Sequence, residues 1–320
     1  MKSIDRNVYI PAHKPFNTVA FKDYLSLTKP GIILGNLISA AGGFFLGSRG
    51  YPDFQLLAAT LCGIALVIGG ACTLNNGIDR DIDALMQRTR NRPLVKKRIP
   101  LIHAYLLGWT LALLGLFLLF HYTDGLAVAI TGIGFAVYVG VYSLWLKRSR
   151  YGTWVGSISG AAPPLAAYCA ASQQLDTAGI ILFAIYVLWQ LPHAYAIAVL
   201  HKTDYARASI PVLPVVRGIN WTKRAMPVYI GLFTLCALLL FFTHNTGAIY
   251  FAAILFLGLD WMRVVWRDRN EADSRRWARK SIGYSIAMVV ALSLTMSMDF
   301  STPVTPLPVK DRPVKLFAHF

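Results

Sequence analysis

Charge is what this chain has least of. Only 14% of its 320 residues are Asp, Glu, Lys or Arg, and just 15 are acidic. A soluble domain carries about a quarter of its residues as charge, so a water-facing globular surface is excluded. Cysteine is also scarce. Cys62, Cys72, Cys169 and Cys236 each lie within an apolar run, with no metal-ligand spacing. That pattern excludes a disulfide scaffold or a zinc site, and it predicts small buried hydrophobes. Residues 1–20 lack the apolar core of a signal peptide, and Asp5, Tyr9 and two prolines do not suit a transit peptide, so the first span is expected to direct insertion. Low-complexity tracts and long linkers are missing too.

What the chain does have is apolar length. It is 56% hydrophobic, its mean hydropathy is +0.51, and several runs reach the length that spans a bilayer. The pattern predicts about nine spans, at 31–48, 56–75, 101–121, 125–146, 153–171, 178–197, 225–243, 247–266 and 281–299. Helices satisfy their own backbone polar groups in lipid. The expected fold class is therefore an all-α polytopic membrane protein.

The net charge of +16 raises nucleic acid as a partner, but its distribution argues against it. Of 31 Lys and Arg, 27 fall before the first span and in the gaps after the second, fourth, sixth and eighth. The opposite gaps hold only Arg49. The positive-inside rule then predicts a cytoplasmic N-terminus and a periplasmic C-terminus. The basic tail (Lys310, Arg312, Lys315) dissents from that assignment.

Chemistry concentrates at the basic end. Asn75, Asp79 and Asp83 recur every four residues after the second span, which stacks an amide and two carboxylates on one helix face, with Asp81 turned away. Solvated decoration of a helix end is the plain alternative, but it does not explain acids packed this closely at a membrane boundary. A divalent cation such as Mg²⁺, with sites left open for a substrate's phosphates, does explain them. A second group is Gln190-Leu191-Pro192-His193, followed by His201-Lys202-Thr203-Asp204. Pro192 inside an apolar helix frees a carbonyl, and such breaks are tolerated beside a cavity. His193 suits iron ligation, proton transfer or a hydrogen-bonded place in the core. Lys147 and Arg148 close the fourth span, either as membrane anchors or as partners for a metal-bound polyphosphate. Lys29-Pro30 with Asn36, and Trp277 to Lys280 with Asp299, are weaker markers. The loops Asp83 to Arg92-Pro93 and Asp204 to Ile210-Pro211 echo each other, a hint that both serve one site.

Asn75-x-x-x-Asp79-x-x-x-Asp83 resembles the first aspartate-rich motif of the intramembrane, UbiA-type aromatic prenyltransferases. The longer string through Met86, Arg88-Thr89 and Arg92-Pro93-Leu94 is similar to the protohaem IX farnesyltransferase (haem O synthase) branch. So are Leu191-Pro192-His193, Asp204-Tyr205, Ile210 to Pro214, Tyr142 to Arg148 and Thr28-Lys29-Pro30. The resemblance covers 24–299 and implies a membrane domain there, between an N-terminal cytoplasmic segment, 1–23, and a tail, 300–320. It implies about nine helices around a central cavity with cytoplasmic cap loops. The implied reaction is farnesyl transfer from farnesyl diphosphate to the 2-vinyl group of haem B, with addition of water. A quinone precursor is the alternative acceptor.

The resemblance assigns Mg²⁺ to Asn75, Asp79, Asp83 and Asp204, and the diphosphate to Asn75, Lys147, Arg148, Lys202 and Lys29. His193, Asp79, Asp83 and Asp204 are the catalytic candidates, with His193 nearest the haem. The second motif departs from that of many superfamily members, because Asp204 stands alone where they carry two or more acids; Lys202 is a substitute source of charge. The compact N-terminus favours a bacterial inner membrane over a mitochondrial one, and a haem A-forming enzyme or a terminal oxidase is the expected partner. A secondary transporter is a rival reading, but its ion site is expected at the midplane rather than at one face. A non-catalytic assembly factor would not need the aspartates.

Overall fold

The computed structural model describes residues 21–300. The expected start of the membrane domain at 24 falls inside the first described helix, while the signal-peptide reading and nearly all of the tail lie outside the described residues. Among the described residues the chain is helical, and the one β-pairing is an isolated bridge between Thr246 and Phe300. A short helix α1 (Phe21–Leu27) precedes the first crossing, α2 (Pro30–Ser48). The second, α3 (Phe54–Ile78), runs into a short α4 (Arg80–Leu85). Next come α5 (Leu101–Tyr122) and α6 (Gly125–Ala136), then α7 (Gly152–Gly160), α8 (Ala162–Ser172) and α9 (Thr177–Leu200). The short α10 (Lys202–Arg207) and α11 (Leu213–Val216) lead into α12 (Ile219–Phe242), α13 (Ala248–Arg267) and α14 (Ser274–Met298).

Eight described helices are long and apolar enough to cross a membrane. The span expected at 153–171 is instead two short helices, α7 and α8, that meet at Ala161. Pro163 and Pro164 cause the break, because proline fits the first turn of a new helix but not the interior of an old one. The two pieces hold 9 and 11 residues, so neither alone is long enough to cross, and the described residues give eight candidate crossings rather than the nine expected.

The helices pack through small residues. Gly63 and Gly70 of α3 face Gly115 and Gly108 of α5. A Cβ on Gly70 would lie 2.5 Å from the Gly108 carbonyl oxygen and 2.8 Å from the Ala112 nitrogen. Lipid offers little hydrophobic drive for helix association, so close backbone approach supplies van der Waals contact instead. On the other side of the bundle, Gly42 of α2 meets Ser293 of α14. A large apolar core joins α8, α9, α12, α13 and α14 around Tyr186, Met226, Phe233, Trp261 and Met288. Large side chains such as Trp109, Phe117 and Phe256 are exposed on the outer surface, as expected of a lipid-facing belt. Cys62 joins them there, so only Cys72 and Cys169 are fully buried as expected, with Cys236 half-buried. Asp53, Asp124 and Asp176 cap helix N-termini at the end away from the acidic motif, each accepting from a backbone N–H.

Candidate active site

Four elements build a polar chamber at the basic end. The first is the α3–α4 junction. The helix breaks at Asp79, yet the N–H of Asp79 still bonds the Asn75 carbonyl at 2.9 Å, and that of Asp83 bonds the Asp79 carbonyl at 2.8 Å. The four-residue stacking therefore survives the junction. Asn75, Asp79 and Asp83 are all buried and all line the chamber. Asp81 is exposed and pairs with Arg80, on the outside as expected.

The second element is Lys29, which precedes Pro30 and holds φ 54°, in the left-handed region. That conformation is costly for a residue with a Cβ, and more so before proline. It delivers Lys29 Nζ to Asn75 Oδ1 at 2.7 Å. Strain of this kind persists where surrounding contacts over-determine it.

The third is the end of the fourth span, which widens into a π-helix over Val137–Trp145 and then tightens to a 3₁₀ turn over Leu146–Arg148. Wide turns within helices are frequent at functional sites. Ser143 Oγ donates to the Tyr138 carbonyl at 2.8 Å and accepts from Asn75 Nδ2 at 3.0 Å. Tyr138 and Tyr142 stack at 5.5 Å along the wall. Lys147 Nζ reaches Asp79 Oδ2, which also accepts from Asn75 Nδ2 at 2.8 Å. Asp79 Oδ1 is buried with no hydrogen-bond partner among the described residues.

The fourth is the loop after α4. It folds back so that Arg92 Nη1 contacts Asp83 Oδ2 at 2.6 Å and Asn76 Oδ1 at 3.0 Å. Arg88 also lines the chamber. Two clusters fix this loop: Leu94 and Ile99 pack on Leu27, while Ile82 and Met86 pack on Ala208 and Ile210. The two loops that echo in sequence are thus packed together.

Asp204 is part of that packing, and its position differs from expectation. Its buried carboxylate accepts the Gln87 N–H at 2.9 Å and the Arg88 N–H at 3.3 Å. It does not line the chamber, and neither do Arg148, which is exposed, or Lys202. As placed, Asp204 clasps the loop that carries Arg88 and Arg92. Burial, together with the Arg88 charge, lowers the pKa of the neighbouring His201. Arg88 and Arg92 are chamber cations that stand in the sequence only as members of a motif string. Their signal was the spacing Arg88-Thr89 to Arg92-Pro93 after the acids.

The polar chamber has a volume of about 410 Å³. A second chamber of about 560 Å³ lies deeper, walled by Ile64, Val67, Phe135, Val289 and other apolar side chains. Ile32, Tyr138, Gly156, Gln190 and His193 line both chambers, so the two meet there. Gln190 Nε2 donates to the Ser157 and Tyr186 carbonyls, each at 3.2 Å, which ties α7 to α9. His193 Nδ1 lies 2.7 Å from Ser285 Oγ, and its ring stacks on Trp189 with centroids 4.9 Å apart. Asn36 lines the deeper chamber and bonds the Ile32 carbonyl of its own helix. Trp277 and Asp299 lie elsewhere. Trp277 packs in the core, and Asp299 accepts the Tyr250 N–H at 2.6 Å at the far end.

A charged chamber on top of an apolar one fits a substrate with a polyanionic head and a greasy tail. Comparison with known sequences decides the family. The model of the UbiA prenyltransferase family matches residues 36–291. The chain belongs to that family. It is 47% identical over 290 residues to "Protoheme IX farnesyltransferase 2" of Shewanella sp. (strain ANA-3), covering 90% of this chain and 94% of that one. It is also 47% identical over 288 residues to "Protoheme IX farnesyltransferase" of Escherichia coli O1:K1 / APEC, covering 88% and 96%. The fold of this UbiA member matches that of a UbiA homologue from Archaeoglobus fulgidus bound to GPP and Mg²⁺. The TM-score is 0.64 at 19% identity, over 86% of this chain and 99% of the other. A digeranylgeranylglyceryl phosphate synthase structure gives a TM-score of 0.69 at 18% identity, over 86% and 98%.

Proposed function

We infer that this chain transfers the farnesyl group of farnesyl diphosphate to the 2-vinyl group of haem B, with addition of water, giving haem O and diphosphate. The observation that carries this reading is 47% identity, across nine-tenths of the chain, to enzymes named for that reaction. The two joined chambers supply the physical rationale.

Asp79, Asp83 and Asn75 fit a divalent cation. Asp79 Oδ1 is a buried acceptor with no other partner among the described residues, and such an atom costs free energy unless something cationic or protonated meets it. These side chains would hold Mg²⁺, which would supply Lewis-acid stabilisation to a departing diphosphate. Lys29, Arg88, Arg92 and Lys147 surround the same space and balance the remaining negative charge. Arg92 and Lys147 also pair directly with Asp83 and Asp79, which holds the two carboxylates in place at the chamber wall.

In the reaction, the C1–O bond of the farnesyl group breaks and its electron pair leaves with the diphosphate. The π pair of the haem vinyl forms the new C–C bond to the allylic cation. Water then captures the vinyl-derived cation and loses a proton. Ile64, Val67, Phe135 and Val289 hold the tail and keep water from the allylic cation before the vinyl reaches it. The stacked faces of Tyr138 and Tyr142, near the junction, offer π density to developing positive charge.

The basic loops and the polar chamber lie at one end of the bundle. By the positive-inside rule that end is cytoplasmic, in a bacterial inner membrane. A haem A-forming enzyme or a terminal oxidase is the expected receiver of so hydrophobic a product. To test the acceptor, haem B and an aromatic quinone precursor would be offered together with farnesyl diphosphate and Mg²⁺. Farnesylated haem with untouched quinone precursor is expected. The reverse pattern would move the chain to a sibling activity in the same family.

A further inference from the structure

The hydrogen bonds around His193 determine which of its nitrogens carries the proton. Ser285 Oγ lies 2.6 Å from the Ile282 carbonyl oxygen and 2.7 Å from His193 Nδ1. A hydroxyl has one proton. Two bare oxygens at 2.6 Å would repel each other, so that proton is committed to the Ile282 carbonyl. Ser285 Oγ can then only accept, and Nδ1 must be the protonated nitrogen of a neutral imidazole. Nε2 is left with its lone pair, and no described residue donates to it. The ring lines both chambers where they join. Trp189 fixes its plane by stacking at an interplanar angle of 15°, and Trp189 Nε1 is itself anchored on the Ser285 carbonyl at 2.9 Å. One residue of α14 thus holds both rings of α9.

This is the usual arrangement around a metal-ligating histidine: one nitrogen donates to a fixed acceptor, and the other presents its lone pair to the metal. We propose that His193 Nε2 ligates the iron of the haem substrate, and that Ser285 is a positioning residue that sets the tautomer and angle of that ligand. The proposal rests on the haem-farnesylating reading and adds a seat for the acceptor. An iron held by His193 would sit where the polar and apolar chambers meet. Asn36, Tyr138 and Gln190 are the other polar groups around this junction, and none of them hydrogen-bonds the imidazole.

The test is a spectroscopic titration of haem B into the detergent-purified full-length protein, read by optical absorption and electron paramagnetic resonance alongside turnover. Wild type should give a histidine-ligated haem spectrum. His193→Gly should lose that signature and recover it on addition of free imidazole, which guards against simple misfolding. Ser285→Ala should weaken haem affinity about tenfold, as loss of an outer-shell partner does, and leave the KM for farnesyl diphosphate unchanged. Ser285→Thr, which keeps the hydroxyl, should restore affinity. If His193→Gly and wild type give the same haem spectrum while wild type makes haem O, iron ligation by His193 is wrong and the farnesyl-transfer reading survives. If wild type binds farnesyl diphosphate but no haem, both fall.

Discussion

Lys147 and Asp79 form an ion pair between the unwound end of the fourth crossing and the break at the end of the second. Neither side chain is free to leave it cheaply. The Asp79 side chain is 2% exposed and that of Lys147 14%. The pair links the segment that carries the acidic motif to the π-helical segment that carries Tyr138 and Tyr142.

Removing one partner should therefore cost both stability and activity, and the two costs should separate. Lys147→Met leaves a buried carboxylate without its cation, which is worth about 3–5 kcal/mol when uncompensated. Asp79→Asn should lower kcat by about 10² or more, the usual size of a lost electrostatic contributor. The double variant should regain most of the thermal stability and none of the turnover. Melting curves in detergent beside haem O formation would read this; a double variant with restored activity would remove Asp79 from the chemistry.

Asp204 should behave differently from Asp79. It accepts two backbone N–H bonds from the loop that carries Arg88 and Arg92. Asp204→Ala should loosen that loop, raise proteolysis within residues 86–98 and raise the KM for farnesyl diphosphate about tenfold. The Mg²⁺ concentration for half-maximal activity should shift far less than it does in Asp83→Asn. An equal shift in both variants would return Asp204 to the metal set.

Arg92 contacts both Asp83 and Asn76 through one nitrogen. Lysine cannot reproduce the planar fork that spans an acid, an amide and a phosphate. Arg92→Lys should raise the KM for farnesyl diphosphate by about an order of magnitude and leave haem affinity unchanged. Steady-state kinetics at saturating haem B would show it, and an unchanged KM would place the diphosphate elsewhere.

The α3–α5 seam carries stability rather than catalysis. Gly70→Val must push apart backbone atoms of α5 that a Cβ would meet at 2.5–2.8 Å. It should lower thermal stability by about 1–3 kcal/mol, the range for overpacking, with turnover per folded molecule retained. A variant that melts like wild type would show that the seam adapts.

The acidic face was legible because helical spacing is local. Asn75, Asp79 and Asp83 stack whether or not the helix continues past Asp79, since the i to i+4 bonds persist across the break. The apolar crossings were legible for the same reason, being set by run length alone. The break at Ala161 had a visible cause in Pro163-Pro164, but the hydropathy of residues 153–171 masked it. The π-helical stretch over Val137–Trp145 had no local signal, because its shape is set by what Ser143 and Lys147 reach across the bundle.

Long-range contacts also explain where the candidate site residues sit. Arg148 and Lys147 are adjacent in sequence, and only the tertiary turn at Leu146–Arg148 decides which one enters the chamber. Arg88 and Arg92 read as ordinary loop cations until Asp204, more than a hundred residues away, is seen to fold their loop inward. His193 was conspicuous beside Pro192, but Ser285, which fixes its tautomer, is an unremarkable serine in an apolar helix.

The most direct measurement incubates the purified protein with haem B and farnesyl diphosphate, with Mg²⁺ or with EDTA, and analyses the haem by chromatography and mass spectrometry. The predicted result is a more hydrophobic haem, heavier by one farnesyl group plus one water, that forms with Mg²⁺ and vanishes with EDTA. Unmodified haem B in a sample that binds farnesyl diphosphate would contradict haem farnesylation, and product formed equally well in EDTA would contradict the metal role given to Asn75, Asp79 and Asp83.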